Sequence, residues 1–349
     1  MTTPEMDELH DELRDVARRL LAAGAPDWGR LAEVGWTGLE VPEDLGGAGV
    51  GFAEVAVVAE ELGRALAAAP YLGSVVLGVG ALTLAEPDPE RDALLAAVAS
   101  GTTRVAVALP GDGGDPPAFR LAGGRLEGEA AWVPDVAGAD RLLVPAAGED
   151  GAPVLVAVAP GAAGLAVTPV PILDATRDLA TVTARGVAVE DGAAWAFAGG
   201  PAVLHRRAAL AVAADGVGVA GAMLDATVAY AKVRVQFGRP IGSFQAVKHA
   251  CADMLVQLSA SRALVAEAAA ALDAGDEGAG VAVAMAKAHA GTMAVEVAGA
   301  ALQLHGGIGY TWESGVHAHL KRAMADRSLY GSPRAHRARL AARHRTATV

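Results

Sequence analysis

The sequence contains one cysteine, Cys251, among 349 residues. A single thiol cannot form a disulfide within the chain or build a cysteine cluster for a metal ion. Val247, Met254 and Leu258 lie four, three and seven positions from it, which is helical spacing. We therefore expect Cys251 to be a small core residue of a helix.

Aromatic residues are also scarce, at 4%, and basic residues are outnumbered, with 28 Lys and Arg against 40 Asp and Glu. The net charge of −12 repels polyanions, so we exclude nucleic-acid binding and attachment to anionic membranes. Apolar residues still make up 53% of the chain, which is enough for a sizeable core. We therefore expect a globular protein.

The most membrane-like stretch, residues 207–231, is interrupted by charge. It contains Asp215 and Asp225 and several glycines, which favours a buried helix over a membrane span. The N-terminal residues MTTPEMDELHDELRD carry charges where a signal peptide needs an apolar segment. We therefore expect the chain to be cytoplasmic.

The pattern of apolar residues changes twice along the chain. Residues 1–104 show helical periodicity, residues 105–198 consist of short β-branched runs bounded by Gly, Pro or Asp, and helical periodicity returns over 199–349. This order predicts an α+β fold that is mostly α, with an N-terminal helical domain, a middle β-domain and a C-terminal helical bundle. It lacks the alternating strands and helices that build a parallel sheet.

Two local features sharpen this prediction. Gly123 and Gly124 lie between two β-like runs and are predicted to form a hairpin turn. One face of the first helix is apolar and is formed by Leu9, Leu13, Val16 and Leu20.

Residues 216–221, GVGVAG, match the G-x-G-x-x-G pattern of dinucleotide-binding folds. That fold needs a preceding strand and an acidic residue about 20 positions later. Here the preceding RRAALAVAAD favours a helix, and position 236 is Gln. We therefore expect these glycines to allow close approach of another helix, in preference to binding phosphate.

Residues 233–254, VRVQFGRPIGSFQAVKHACADM, indicate a helix end, a tight turn and a new helix. Arg234 offers a fixed charge suited to a diphosphate, Phe237 an aromatic ring, and Gln245 an amide. The alternative is an ordinary helical hairpin with a surface arginine.

Residues 303–313, QLHGGIGYTWE, place Gly306, Gly307 and Gly309 at a helix end. Unhindered backbone amides there can bind phosphate or ring-edge oxygens, and Gln303 adds a side-chain donor. A glycine C-cap explains one glycine but not three.

These stretches resemble the acyl-CoA dehydrogenase family over nearly the whole chain. GWTGLEVPEDLGGAGVGFAE and EELGRA are similar to the family's N-terminal helical domain, RVQFGRPIGSFQAVKH to its FAD-contacting turn, and QLHGGIGYTWE to its second FAD-contacting loop. The resemblance implies a helical domain, a β-domain and a four-helix C-terminal domain. It also implies FAD as cofactor, an acyl-CoA as substrate and an electron-transferring flavoprotein as electron acceptor.

By position, Arg234, Phe237 and Gln245 resemble residues that hold the diphosphate and adenosine of FAD. In the family such residues reach the FAD of a neighbouring subunit. The loop that closes over the same half of the cofactor corresponds to Gln303, Leu304, His305, Gly306 and Gly307.

The family's catalytic base is missing from both of its usual positions. Many members carry a glutamate in a YEG sequence, where this chain reads LYGS and has Tyr330. A phenol, with a pKa of about 10, is a poor base at neutral pH. The second family position falls at Ala208. We therefore assign no catalytic residue to this chain.

The segments that resemble the flavin-ring contacts are also altered. The family's TEPxAGSD sequence corresponds to ALPGDGGD at residues 108–115, and its W-I-T pattern corresponds to Trp132, Val133 and Pro134. Pro134 has neither an amide hydrogen nor a hydroxyl to donate. The resemblance therefore implies a chain that reaches a neighbour's FAD without completing a flavin-ring site of its own.

Our leading hypothesis is a non-catalytic subunit of a heteromeric α2β2 acyl-CoA dehydrogenase, whose partner subunit carries the base and whose substrate is a bulky or steroid side-chain CoA thioester. A homomeric enzyme is the first alternative, with Asp215 as base because it lies two helical turns from Ala208 on the same face. The interpretation that we favour for Asp215 is a paired or capping charge between helices. The second alternative is a non-redox scaffold of the same fold.

Overall fold

The computed structural model of the protein describes residues 4–111 and 118–346, with side chains described for 8–111 and 118–343. The chain forms two compact units. The first unit comprises residues 1–24, 56–67 and 212–349, and the second comprises residues 25–55 and 68–211.

The α-helices are α1 (Pro4–Ala22), α2 (Trp28–Glu33), α3 (Phe52–Arg64), α4 (Gly80–Leu84), α5 (Pro89–Ala99), α6 (Gly200–Val233), α7 (Gln245–Asp273), α8 (Ala279–His305), α9 (Val316–Ser328) and α10 (Pro333–Thr346). A π-helix, Leu72–Val79, leads directly into α4. The strands are β1 (Val105–Val107), β2 (Phe119–Ala122), β3 (Arg125–Pro134), β4 (Arg141–Ala147), β5 (Pro153–Val158), β6 (Leu165–Pro169), β7 (Leu179–Ala188), β8 (Ala194–Ala196), β9 (Val235–Gln236) and β10 (Arg239–Pro240).

The second unit contains a sheet of order β6-β7-β3-β2-β4-β5-β8, with β1 paired to β4. The predicted hairpin is confirmed: β2 and β3 are antiparallel, and the turn residues Gly123 and Gly124 have φ of +56° and +68°. The sheet also contains parallel pairs, although the sequence lacks alternating strand and helix units. Strand β4 pairs parallel with both β1 and β2.

Glycines hold α3 and α6 in close contact within the first unit. A Cβ atom on Gly218 would lie 1.7 Å from the carbonyl oxygen of Glu60. One on Gly63 would lie 2.2 Å from the carbonyl oxygen of Asp215. GVGVAG is therefore a helix-packing sequence, as predicted, because no side chain fits between these two backbones.

Two helices, α6 and α7, have the length and apolar composition that a membrane span requires. In α6 the most apolar stretch is 89% buried within the protein, so burial accounts for its composition. The corresponding stretch of α7 is only 28% buried, and Leu255 and Val256 on it are 53% and 68% exposed. Helix α7 thus presents an apolar face that this chain leaves uncovered.

One expectation about an apolar face is corrected by the structure. Cys251 is only partly buried, although Met254 and Leu258 on the same helix are core residues, and burial raises the pKa of its thiol. On α1, Leu9 and Val16 are 42% and 39% exposed. Helical spacing identifies which residues share a face, but it does not show whether another element covers that face.

We predict that Gly218→Ala destabilises the protein by about 1–3 kcal/mol, because the new methyl group must push α3 and α6 apart. Gly299→Ala is the matched control, since a Cβ there meets nothing within 4 Å and alanine favours a helix. Denaturant unfolding of both variants checks this. Equal stability of the two variants would contradict the close contact.

Candidate functional site

The turn between α6 and α7 is a two-residue hairpin joining β9 and β10. Its central residues, Phe237 and Gly238, both have positive φ, at +51° and +76°. A type I′ turn requires positive φ at both positions, and glycine meets that requirement without strain. The turn carries the Phe237 ring into solvent, where it is 91% exposed.

Backbone contacts fix the base of this turn. The Arg234 amide donates to the Tyr230 carbonyl at 2.9 Å, and the Ile241 amide donates to the Arg234 carbonyl at 2.8 Å. The Arg234 side chain is exposed, and no carboxylate in the described part of the chain pairs with it. Its guanidinium group is therefore held on a rigid backbone and is available to an anion.

Aromatic and cationic groups continue along the same turn. The rings of Phe237 and Phe244 form a T-shaped pair with centroids 6.1 Å apart. The Arg239 guanidinium lies 4.2 Å from the centroid of the Phe244 ring. Gln245 follows as the first residue of α7 and is exposed. The turn thus presents a ring, a free positive charge and an amide on one short segment.

The second predicted stretch lies where α8 ends. Gly306 has φ of +62° and ψ of −143°, a conformation open essentially to glycine alone, and its amide donates to the Gln303 carbonyl. A Cβ on Gly306 or Gly307 would meet nothing within 4 Å. Gln303 is exposed and Leu304 is half-buried. A ligand can therefore approach this backbone closely.

A ring contact brings the two stretches together. Tyr230, one helical turn before Arg234, stacks on His305 with centroids 4.5 Å apart and an interplanar angle of 19°. His305 is only 8% exposed, and its Nδ1 atom donates to the Ala301 carbonyl at 2.7 Å. The His305 ring therefore positions the glycine loop, and its side chain does not face an open ligand site.

This arrangement fits the diphosphate and adenosine of FAD. Arg234 provides an available positive charge, Gln245 and Gln303 provide exposed amides, and the backbone at Gly306 and Gly307 is unhindered. Charged and amide donors on rigid elements are the groups that bind a diphosphate. The residues that the sequence predicted to bind the cofactor thus meet in one region of the first unit.

Tyr330, which the sequence resemblance places at the family's glutamate position, is a core residue with 0% exposure. Its backbone has φ of +55°, and its carbonyl accepts a hydrogen bond from His336 Nε2 at 3.0 Å. The carbonyl oxygens of Asp326 and Arg327, just before Tyr330 in the sequence, accept hydrogen bonds from the buried Lys287. The segment is therefore anchored on both sides of residue 330, and its side chain is directed into the protein.

The alternative positions for a base are also closed. Ala208 is fully buried. Both carboxylate oxygens of Asp215 accept hydrogen bonds from Arg322, at 3.0 and 2.7 Å, and Asp215 is 5% exposed. The interpretation of Asp215 as a paired charge between helices is confirmed. A buried carboxylate whose two oxygens are both bound by an arginine is poorly placed to collect a substrate proton.

The segment that resembles the flavin-ring contact has an irregular backbone. Trp132 has φ of +61°, and the register between β3 and β7 shifts between Ala130 and Val133. Pro134 ends the strand without an amide hydrogen to offer. The other altered segment, ALPGDGGD, lies partly outside the described residues, from position 112 to 115.

Sequence reasoning missed one carboxylate, Asp135, directly after Pro134. Its side chain accepts a hydrogen bond from the Gly73 amide at 2.7 Å, at the start of the π-helix. Burial raises the pKa of Asp135 to about 6, although Gly73, Arg177 and Arg104 oppose the shift. Its place after the Trp-Val-Pro segment was the available signal. The contact shows Asp135 anchoring a helix end, where a carboxylate is favoured.

Comparison with known proteins agrees with this geometry. The family model described as Acyl-CoA dehydrogenase, N-terminal domain, matches residues 3–102, and the model of the corresponding C-terminal domain matches residues 202–344. The acyl-CoA dehydrogenase IpdE2 of Mycolicibacterium smegmatis is 35% identical over 316 residues, which cover 90% of this chain and 86% of that relative.

Two solved structures share the fold over almost the full chain. A variant of the Tcur3481-Tcur3483 steroid ACAD gives a TM-score of 0.88 at 30% identity, covering 98% of this chain and 99% of that chain. The ChsE4-ChsE5 complex from Mycobacterium tuberculosis gives a TM-score of 0.85 at 29% identity, covering 98% and 97%. The chain thus belongs to the acyl-CoA dehydrogenase family of FAD-dependent oxidoreductases that act on acyl-CoA.

Proposed function

We propose that this chain is the non-catalytic subunit of a heteromeric α2β2 acyl-CoA dehydrogenase. It helps to hold FAD, and a second family subunit supplies the base. The observation that carries the proposal is an asymmetry. The groups suited to the FAD diphosphate and adenosine are exposed and rigid, whereas Tyr330, at the position of the base, is buried in the core.

The uncovered face of α7 supports the need for a partner. Between α6 and α7 lies a groove of about 540 Å³. Its apolar lining comes from both helices and consists of Leu224, Val228, Ala229, Cys251, Ala252 and Leu255. Large exposed apolar surfaces on soluble proteins mark interaction sites, so a second subunit is the expected cover for this face.

The relatives support both the heteromer and the substrate class. One related structure is a complex of two named subunits, ChsE4 and ChsE5, and another is named a steroid ACAD. Each is about 30% identical to this chain and matches it over nearly its full length. We therefore propose a bulky or steroid-derived CoA thioester as substrate and an electron-transferring flavoprotein as electron acceptor.

When bound, FAD supplies the hydride acceptor for α,β-desaturation of the thioester. This chain's residues would bind and orient the cofactor: Arg234 through the diphosphate, and Gln303 with the Gly306 and Gly307 backbone through neutral hydrogen bonds. Among the described residues we identify no group that takes the Cα proton. That proton must pass to a carboxylate of the partner, with a pKa tuned to the task.

Flavin absorbance tests the assignment and separates it from the two alternatives. We expect the purified chain to be colourless alone and to retain FAD when it is co-purified with a base-carrying family subunit. Yellow, active protein obtained from this chain alone would establish the homomeric enzyme. A chain that remains colourless in the assembled complex, with no effect on its partner's turnover, would establish the scaffold.

We predict that Arg234→Ala weakens FAD retention in the assembled complex by about 1.5–3 kcal/mol, because the diphosphate loses a charge-assisted hydrogen bond. Gln303→Ala should cause a smaller loss, since a neutral hydrogen bond contributes about 0.5–1.5 kcal/mol. Arg185→Ala, an exposed arginine of β7, is the control. FAD content after dialysis, measured against protein concentration, decides the matter. Equal retention by the Arg234 and Arg185 variants would remove Arg234 from the site.

We predict that Asp215→Asn lowers the stability of the chain by about 1.5–3 kcal/mol, because the buried Arg322 loses its bidentate charged partner while Asp326 remains 3.8 Å away. Asp225→Asn, which breaks the exposed ion pair with Arg64, should cost about 1 kcal/mol or less. Turnover per bound FAD should change only a few-fold in either variant. A loss of about 10² to 10⁴ in turnover for Asp215→Asn at unchanged melting temperature would identify Asp215 as the base.

A further inference from the structure

Helix α1 carries a stripe of exposed acidic side chains. Glu8, Asp11, Glu12 and Asp15 recur at intervals of three, four and seven residues, which places them on one face. Asp11 pairs with Arg14 at 3.1 Å. Glu8 and Glu12 form no ion pair with any described residue. We call these four residues the acidic stripe.

Helix α10 has the opposite charge. Residues 327–349 contain six arginines and no Asp or Glu, in a chain whose net charge is −12. Arg334, Arg337 and Arg339 are exposed, and none of them pairs with a carboxylate among the described residues. The nearest polar contact is neutral, from Arg337 to the Thr292 hydroxyl at 3.2 Å. Arg334 and Arg337 are three residues apart and lie on one face of α10, and we call these two residues the arginine cluster.

The two surfaces are opposite in charge. At 1.5 Å per residue, the acidic stripe extends for about 10 Å along α1 and the arginine cluster for about 5 Å along α10. Leu9 and Val16, 42% and 39% exposed, flank the stripe and provide apolar area beside the charges. A contact between the surfaces would therefore combine complementary charge with apolar burial.

An acidic partner for the arginine cluster is thus present on the chain itself. A twofold arrangement of two copies places each stripe against the other copy's cluster, so that the contact forms twice and the assembly is closed. A nucleic acid or an anionic membrane fits less well, because the remaining surface of this acidic chain repels both.

We propose that two copies of this chain pair through the acidic stripe of one copy and the arginine cluster of the other, related by a twofold axis. This interface does not depend on the groove of α7 or on FAD. In the proposed heteromer it would join the two copies of this chain to each other.

Sedimentation velocity of the full chain without any partner tests the proposal. We expect the pair to form at low ionic strength and to separate as salt is added, because exposed charges are screened. Arg334→Glu/Arg337→Glu should raise the dissociation constant by at least about tenfold, because attraction becomes repulsion in both contacts. Glu8→Lys/Glu12→Lys should do the same. Arg120→Glu/Arg185→Glu changes the net charge by the same amount as Arg334→Glu/Arg337→Glu, but on the other unit. It should leave association unchanged.

Mixing the two reversed variants gives the sharpest result. Each variant repels a second copy of itself. In a mixed pair the lysines introduced at positions 8 and 12 of one copy face the glutamates introduced at positions 334 and 337 of the other. Pairing should therefore return only in the mixture. Failure of the mixture to pair, or a wild-type mass that is that of a single copy at low salt, overturns the proposal. A reversal that lowers the melting temperature without changing the mass would place the two surfaces in contact within one chain and would also overturn it.

Discussion

The first unit depends on the buried ion pair between Asp215 and Arg322. This pair joins the middle of α6 to α9, and both residues are buried. Buried charges are tolerated only when they are fully paired, so the two helices must keep a fixed relation. The C-terminal end of α6 leads into the turn with Arg234, and the C-terminal end of α9 leads to Tyr330. The Asp215–Arg322 contact therefore helps to position both the helix that leads to the Arg234 turn and the helix that leads to Tyr330.

For the proposed subunit, these segments would explain how a family fold keeps one half of a binding function. The turn around Arg234 depends on short-range geometry, namely a two-residue hairpin and a stacked Tyr230–His305 pair. Such a turn persists whether or not the chain performs catalysis. A base, by contrast, must be an ionisable group beside the substrate, and such groups are costly to bury without function. In this chain position 330 holds a tyrosine that is fully buried in the core.

Local features of the fold were predictable from the sequence. Gly123 and Gly124 predicted the hairpin, and the glycines of GVGVAG predicted the close helix contact. Phe237 and Gly238 lie at the tight turn that was expected after α6. Each of these rests on backbone sterics within a few residues, which sequence patterns report directly.

Features that depend on distant parts of the chain were not predictable. The parallel pairing of β4 with β1 and β2 requires knowledge of which strands meet, and no periodicity carries it. The partial exposure of Cys251 depends on what covers α7. The buried Asp135, with its raised pKa, requires the π-helix at Gly73 to be placed against the end of β3. The inward direction of Tyr330 likewise follows from the anchors at Lys287 and His336.

The packing of residue 330 also bears on how such a chain can change over generations. A glutamate introduced there would enter a fully buried position, so it would weaken the fold before it could serve as a base. A return to an independent enzyme therefore needs several substitutions together, and the first of them carries a loss of stability. For a subunit of the proposed kind, the packing of the core around residue 330 opposes the restoration of a base and so preserves dependence on the partner.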